Sequence, residues 1–275
     1  MTTSRYKRYT ILLFMIIIYV PGSVSLANPS MIEVTACPNN MPSYNPLGVD
    51  NEKDNIFSLL AYAVVSKGWQ DDSSTGTGYN VGSVLVDGSN GIVCWARNAV
   101  NITSNDTQHG EIRLMVNYLN NVKDVHELQS YKLYTTLEPC AMCAGMMTIN
   151  NIELSVYGQA APKSGNAFQR LELDSTSCGG YTSYYNPVIS IPNQTGYPSI
   201  LDSTYEKSGT TSIIEWLASP EAKTIFSLAR TNLSSYTVQH QENQAIYDAA
   251  ISFLANVPDG GKFEGFTYSV NCPGE

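Results

Sequence analysis

The chain has 275 residues, enough for one or two domains with a buried core. Its 43% apolar content is ordinary for a globular protein and excludes wholesale disorder. With 15 basic against 24 acidic side chains the net charge is −9, which repels a phosphate backbone at long range and argues against a general nucleic-acid binder.

Residues 1–27 read as a signal peptide. Arg5, Lys7 and Arg8 form a basic start, Thr10 to Val20 is a short apolar run, and Ser25-Leu26-Ala27 places small residues before a cleavage point. The run is short for a spanning helix, and no other stretch is long and apolar enough to cross a bilayer; an uncleaved anchor is the alternative. The expected location is secreted or periplasmic, with no membrane attachment after cleavage. Cleavage removes three of the 15 basic residues and no acid, leaving 12 against 24 and a net charge near −12.

Residues 28–52 contain several Pro and Asn and read as an irregular leader. Asp54-Asn55 is placed to cap a helix running to about Val65, with Ile56, Leu59, Leu60 and Ala63 on its apolar face and Gly68 at its end. Asp71 to Gly78 is a polar loop. Val81–Val86 and Ile92–Ala96 read as strands of a hairpin turned at Asp87-Gly88-Ser89-Asn90-Gly91. From His109 the spacing of Ile112, Met115, Val116 and Leu119 predicts a helix with a buried face. Leu133–Leu137 and Leu154–Tyr157 are further strands, with a helix opening at the cysteines between them. The order strand–strand–helix–strand–helix–strand predicts an α/β fold with a mixed sheet flanked by helices.

Ser175 to Pro198 reads as a long loop. Its Tyr181, Tyr184 and Tyr185 either stack a base at a pocket edge or cover a loop-rich surface. Ser219-Pro220-Glu221 is a helix start with Pro in the first turn, continued by Ile225, Leu228 and Ala229. A last helix, about Glu242 to Ala255, carries Ile246, Ala249, Ala250 and Phe253. The C-terminal residues read as irregular.

The chemistry concentrates in two stretches. His109-Gly110-Glu111 precedes Pro139-Cys140-Ala141-Met142-Cys143, an H-x-E followed by P-C-x-x-C. Pro139 suits the first turn of a helix. Cys140 and Cys143, three residues apart, then share one helix face, and the positive helix end favours their thiolates. His109 adds a third ligand. Three protein ligands leave one tetrahedral position of Zn2+ for water, the mark of a catalytic site. Glu111 is placed to move protons. His126 and His240 lack ligand spacing and read as exposed structural residues.

Cys37, Cys94, Cys178 and Cys272 remain, an even number that an oxidising compartment would let pair in three ways; Cys94, in a predicted core strand, reads equally as a buried thiol. Asn101, Asn105, Asn193 and Asn232 each begin an N-x-S/T sequence, relevant only in a eukaryotic secretory pathway.

Thr136-Leu137-Glu138-Pro139-Cys140-Ala141-Met142-Cys143-Ala144-Gly145 resembles the tRNA adenosine deaminase and guanine deaminase branch of the cytidine deaminase-like superfamily. Val81 to Asp87, Cys94-Trp95-Ala96-Arg97-Asn98, Asp106 to Glu111, Val156-Tyr157-Gly158 and Lys163-Ser164-Gly165 extend the resemblance over about Asn55 to Phe168. It implies a three-layer α/β/α sandwich with a central mixed five-stranded sheet. A deaminase domain is expected at 53–170, with a C-terminal helical and loop extension at 171–275 packed on it. It implies one Zn2+ per chain held by His109, Cys140 and Cys143, with Glu111 as catalytic proton carrier. Asn98, Gly110 and Pro139 are implied at the substrate, and a homodimer is implied as well. Gly110 stands where relatives have Ala, which would widen the wall beside the substrate. Gln159-Ala160-Ala161-Pro162 replaces an Arg-Asp pair that several tRNA-acting relatives carry.

The function expected is a secreted zinc-dependent hydrolytic deaminase. Its substrate would be the exocyclic amine of a nucleobase or nucleoside, with a purine such as guanine or adenosine favoured. In that chemistry zinc activates a water, and Glu111 passes the water's proton to the base. The alternatives are a nucleic-acid deaminase of tRNA adenosine type, exported as an effector, and a non-catalytic zinc-binding module.

Overall fold

The first helix, α1 (Val49–Lys67), is apolar on all sides from Ile56 to Val65 except at Ser58 and is buried on nearly every side. Such a helix needs cover on both flanks. A sheet supplies one side and helices from the far end of the chain supply the other. The computed structural model describes residues 48–171 and 188–260, all within the unit Ser43–Glu275. The expected signal peptide, Cys37, Cys178, Cys272, Tyr181, Tyr184 and Tyr185 lie outside the described residues.

The sheet has five strands in the order β2-β1-β3-β4-β5. They are β1 (Gly82–Val86), β2 (Ile92–Arg97), β3 (Lys132–Leu137), β4 (Leu154–Gln159) and β5 (Ile189–Pro192). β1 runs antiparallel to β2 and β3, while β3, β4 and β5 are parallel, so the sheet is mixed. Register places Leu85 opposite Cys94 and Leu133, and Val84 opposite Trp95 and Tyr134. Alternation then sorts the side chains between two cores. Val84, Val86, Trp95, Tyr134 and Val156 face α1. Leu85, Cys94, Ala96 and Leu133 face α3 (Gly110–Asn121) and α4 (Ala141–Ile149), which follow a short helix α2 (Val100–Thr103). Cys94 is accordingly buried in this core, its Sγ 4.0 Å from Leu114 O.

Beyond β5 come α5 (Tyr197–Ser208), α6 (Ile213–Trp216), α7 (Pro220–Ser234) and α8 (Gln244–Asn256). Ser219 caps α7, accepting from Ala222 N–H, with Pro220 at the first turn. Phe226 packs edge-on against Tyr62 and Trp69, and Tyr197 lies beside Tyr62. Two polar anchors fasten this layer. Glu52 accepts from Gln239 N, His240 N and Asn243 Nδ2, at 2.5, 3.0 and 2.8 Å. Burial alone would raise its carboxyl; these donors outweigh burial and hold it below the usual range. Arg97 donates to Val64 O at the end of α1 and to Pro258 O and Gly260 O, at 2.7, 3.1 and 3.3 Å. Burial pushes this guanidinium down to about 10.

Several expectations need correction. α1 begins at Val49, because Gly48 caps it and Asp50 and Glu52 suit its first turn, so the leader does not reach 52. The stretch read as loop from Ser175 to Pro198 contains β5, so the sheet extends past residue 170. β5 is a four-residue edge strand ending at Pro192, where a missing N–H is tolerated. The buried stripe of α3 is Glu111, Leu114, Met115 and Tyr118 rather than Ile112, Met115, Val116 and Leu119. In α7 the buried side is Ala222, Ile225, Phe226, Ala229 and Leu233, leaving Leu228 exposed.

Candidate metal centre

His109 and Cys140 are the N-cap residues of α3 and α4, each with extended backbone. Pro139 therefore sits just outside α4 rather than in its first turn. It ends the approach from β3 and leaves Cys140 at the cap and Cys143 one turn on. Two helix N-termini converge on the same point, and both favour negative charge there.

His109 Nδ1 lies 3.7 Å from Cys140 Sγ and 3.5 Å from Cys143 Sγ, and the two sulfurs are 3.6 Å apart. Zn–S bonds of about 2.3 Å and Zn–N bonds of about 2.0 Å at tetrahedral angles require edges of about 3.8 Å between sulfurs and about 3.5 Å from sulfur to nitrogen. The triangle already has those dimensions. Among the described residues it is the one group of His, Cys, Asp or Glu ligand atoms gathered closely enough to hold a metal. Hydrogen bonds with Cys143 and with the His109 ring bring the Cys140 thiol down to about 4 against the opposing effect of burial. A soft set of two sulfurs and one imidazole nitrogen of this size fits Zn2+.

Glu111 heads the buried stripe of α3 and is 3% exposed. Its Oε1 accepts from Thr135 Oγ1 at 3.1 Å, and its buried Oε2 has no hydrogen-bond partner among the described residues. Such an oxygen is costly to leave alone. A water held by the metal would satisfy it. Burial raises the Glu111 carboxyl, with the neighbouring His109 opposing.

Asn98 is buried at the end of β2. Its Oδ1 accepts from Tyr79 N and Val100 N, both at 3.1 Å, so its amide nitrogen is the end left for a ligand. The polar loop up to Gly78 passes close enough that a Cβ on Gly78 would meet Asn98 Oδ1 at 2.4 Å. Gly110 differs from expectation. A Cβ there would point at Ala96 O, 3.1 Å away, and at Gly82 and Ser83, so the missing methyl eases packing of α3 on the sheet and does not widen a substrate wall.

Sequence alone assigns no role to two residues of this stretch. One is Thr135, which fixes Glu111. The other is Glu138, whose Oε2 and Oε1 accept from Ala161 N and Asn166 N at 2.9 and 2.6 Å. Glu138 thereby pins the loop carrying Lys163-Ser164-Gly165, and a Cβ on Gly165 would strike its Oε2. The signal available was a carboxylate directly before Pro139-Cys140. His126 is exposed, and His240 serves Glu52 through its backbone.

Residues 52–159 match the family model of the cytidine and deoxycytidylate deaminase zinc-binding region. The tRNA-specific adenosine deaminase of Haemophilus influenzae is 39% identical over 85 residues, 31% of this chain and 49% of that protein. That of Rickettsia felis is 32% identical over 110 residues, 40% of this chain and 73% of that protein. The chain thus spans about half the length of the first relative and most of the second. A structure from studies of A-to-I editing by tRNA:A34 deaminases is 26% identical, covering 41% of this chain and 83% of that one, with a TM-score of 0.34. The pocket of donor atoms at His109, Cys140 and Cys143 lies inside the matched region, and the chain belongs to the zinc-binding cytidine and deoxycytidylate deaminase family.

Proposed function

We propose that the chain hydrolyses the exocyclic amine of a purine base or nucleoside, adenosine first among them. The observation that carries this is the buried, unpartnered Glu111 Oε2 beside a ligand triangle of zinc dimensions. Zinc, when held by His109, Cys140 and Cys143, supplies a Lewis acid that makes a water acidic near neutral pH. Glu111 would take one proton of the attacking water at Oε2 and pass it to a ring nitrogen, and a second proton, from the hydroxyl that the water leaves on the ring carbon, would pass by the same oxygen to the departing amine. Thr135 keeps the other oxygen fixed, so one oxygen does the transfer. Burial favours a carboxyl that can hold each proton between uptake and delivery. The Asn98 amide nitrogen donates to an acceptor on the base. Backbone N–H groups at the starts of α3 and α4, near Gly110 and Cys140, help orient it, while Pro139 shapes the approach.

Adenosine leads because the matching relatives are tRNA-specific adenosine deaminases. The same names support a second reading, adenosine within an RNA. The net charge of −9 favours the small substrate. The test is ammonia release from adenosine, adenine, guanine, cytidine and an adenosine-bearing tRNA anticodon stem, beside Glu111→Gln. Release from a small compound that the variant abolishes supports the first reading. Turnover of the RNA alone supports the second, and no turnover by zinc-loaded protein sinks both. Export through the N-terminal segment and a homodimer belong to the same proposal, checked by recovery from culture medium and by sedimentation.

A further inference from the structure

Four N-x-S/T sequences lie among the described residues, and their surroundings differ. Asn193 is 5% exposed, and its Nδ2 donates to Tyr62 Oη and to Tyr157 O, each at 3.2 Å. Both amide hydrogens are used in the core, where Tyr62 is itself buried, so an oligosaccharide there is incompatible with the fold. Asn101 is half-buried and donates through Nδ2 to Ser73 O at 2.7 Å, fastening the loop that holds Asn98. Asn232 sits within α7 and donates to Tyr197 Oη at 2.6 Å.

Asn105 has none of these ties. It is exposed between α2 and α3 and uses only its oxygen, accepting from Thr107 N at 2.9 Å and Thr107 Oγ1 at 2.8 Å. Its Nδ2 makes no hydrogen bond among the described residues. The hydroxyl of the sequence's third residue thus already bonds the amide oxygen, leaving the nitrogen pointing clear of the turn. The segment's backbone is secured independently, Gln108 N donating to Asn105 O and Ala99 N to Gln108 O. A bulky group on the side chain leaves those bonds intact.

We infer that Asn105 is the N-glycan acceptor of this chain, an inference that rests on the export reading above. The Asn105 amide nitrogen forms a bond to the anomeric carbon of a lipid-diphosphate-linked oligosaccharide. The anomeric C–O bond to the diphosphate breaks, and the amide proton leaves with the lipid diphosphate. The sugar then stands on the segment joining Asn98 to His109.

The full chain is expressed in eukaryotic secretory cells, and medium and lysate are analysed by intact mass before and after peptide N-glycosidase, with peptide mapping. The expected result is a secreted protein that loses mass on digestion, with Asn105 mapped as the converted residue. Asn105→Gln removes that modification, and Thr107→Ser, which preserves the recognition sequence and the hydroxyl, keeps it. A secreted protein with no glycan at Asn105 overturns the inference while export stands. So does occupancy of Asn101, Asn193 or Asn232 with Asn105 unmodified. A chain confined to the cytosol overturns export and, with it, the glycan.

Discussion

On one face of the sheet, α3 and α4 present a few residues whose spacing chemistry dictates. His109, Cys140 and Cys143 form a triangle with edges of 3.5 to 3.7 Å, and Glu111 and Thr135 fill in beside it. On the other face, α1 is buried from both sides by general apolar packing against the sheet and α7, with polar anchors at its two ends. The first face holds a reaction centre in which single atoms matter. The second tolerates many sequences provided volume and apolarity are kept. Substitutions on the first should therefore change chemistry with the fold intact, and substitutions on the second should change stability with the chemistry intact.

The largest effect tests the first half of that contrast. Cys143→Ala is expected to lose bound zinc and all deaminase activity, read by metal analysis alongside ammonia release; zinc retained at full occupancy would break the assignment. Glu111→Gln is expected to keep zinc and lose activity by about 10²- to 10⁴-fold, the usual worth of a proton-transfer group. On the other face, Phe226→Ala removes a ring that meets Tyr62 and Trp69 and is expected to cost about 3–5 kcal/mol in chemical denaturation. Activity per folded molecule should not change.

Glu52→Gln is expected to cost about 1.5–3 kcal/mol, since three donors then face a neutral amide. The sign follows from the depressed carboxyl. Its stabilisation is complete above the ordinary glutamate value of 4.5 and is lost as pH falls through the lower folded value. The Tm gap between wild type and variant should therefore close on acidification; a gap that widens would refute the account. The smallest effect returns to the metal face. Thr135→Val frees Glu111 Oε1 and is expected to lower kcat by about tenfold, the worth of one hydrogen bond. A shifted pH–rate profile with zinc retained would distinguish positioning from damage.

The sequence made the metal face readable because ligand chemistry fixes residue types and intervals. His109, Glu111, Cys140 and Cys143 could be chosen before any fold was known. Thr135 could not, because its role depends on which strand lies under α3. The Gly110 expectation failed for a related reason: a helix-start residue faces sheet or pocket according to packing that no local pattern encodes. On the other face, Ile56, Leu59, Leu60 and Ala63 mark one apolar side of a helix, while Phe57, Ala61, Val64 and Val65 between them signal cover on the other side as well. β5 escaped because Ile189-Ser190-Ile191 is too short to stand out beside its neighbours.

The Glu52 anchor also orders events in time. Its side-chain partner Asn243 is 191 residues further along the chain. At about 5–20 residues per second, α1 leaves the ribosome roughly 10–40 s before the residues that complete its surroundings. During that interval its outer side lacks the native cover that α7 and α8 later provide. A contact of such long sequence separation can form only once synthesis is nearly complete, so the native surroundings of α1 are assembled at its end.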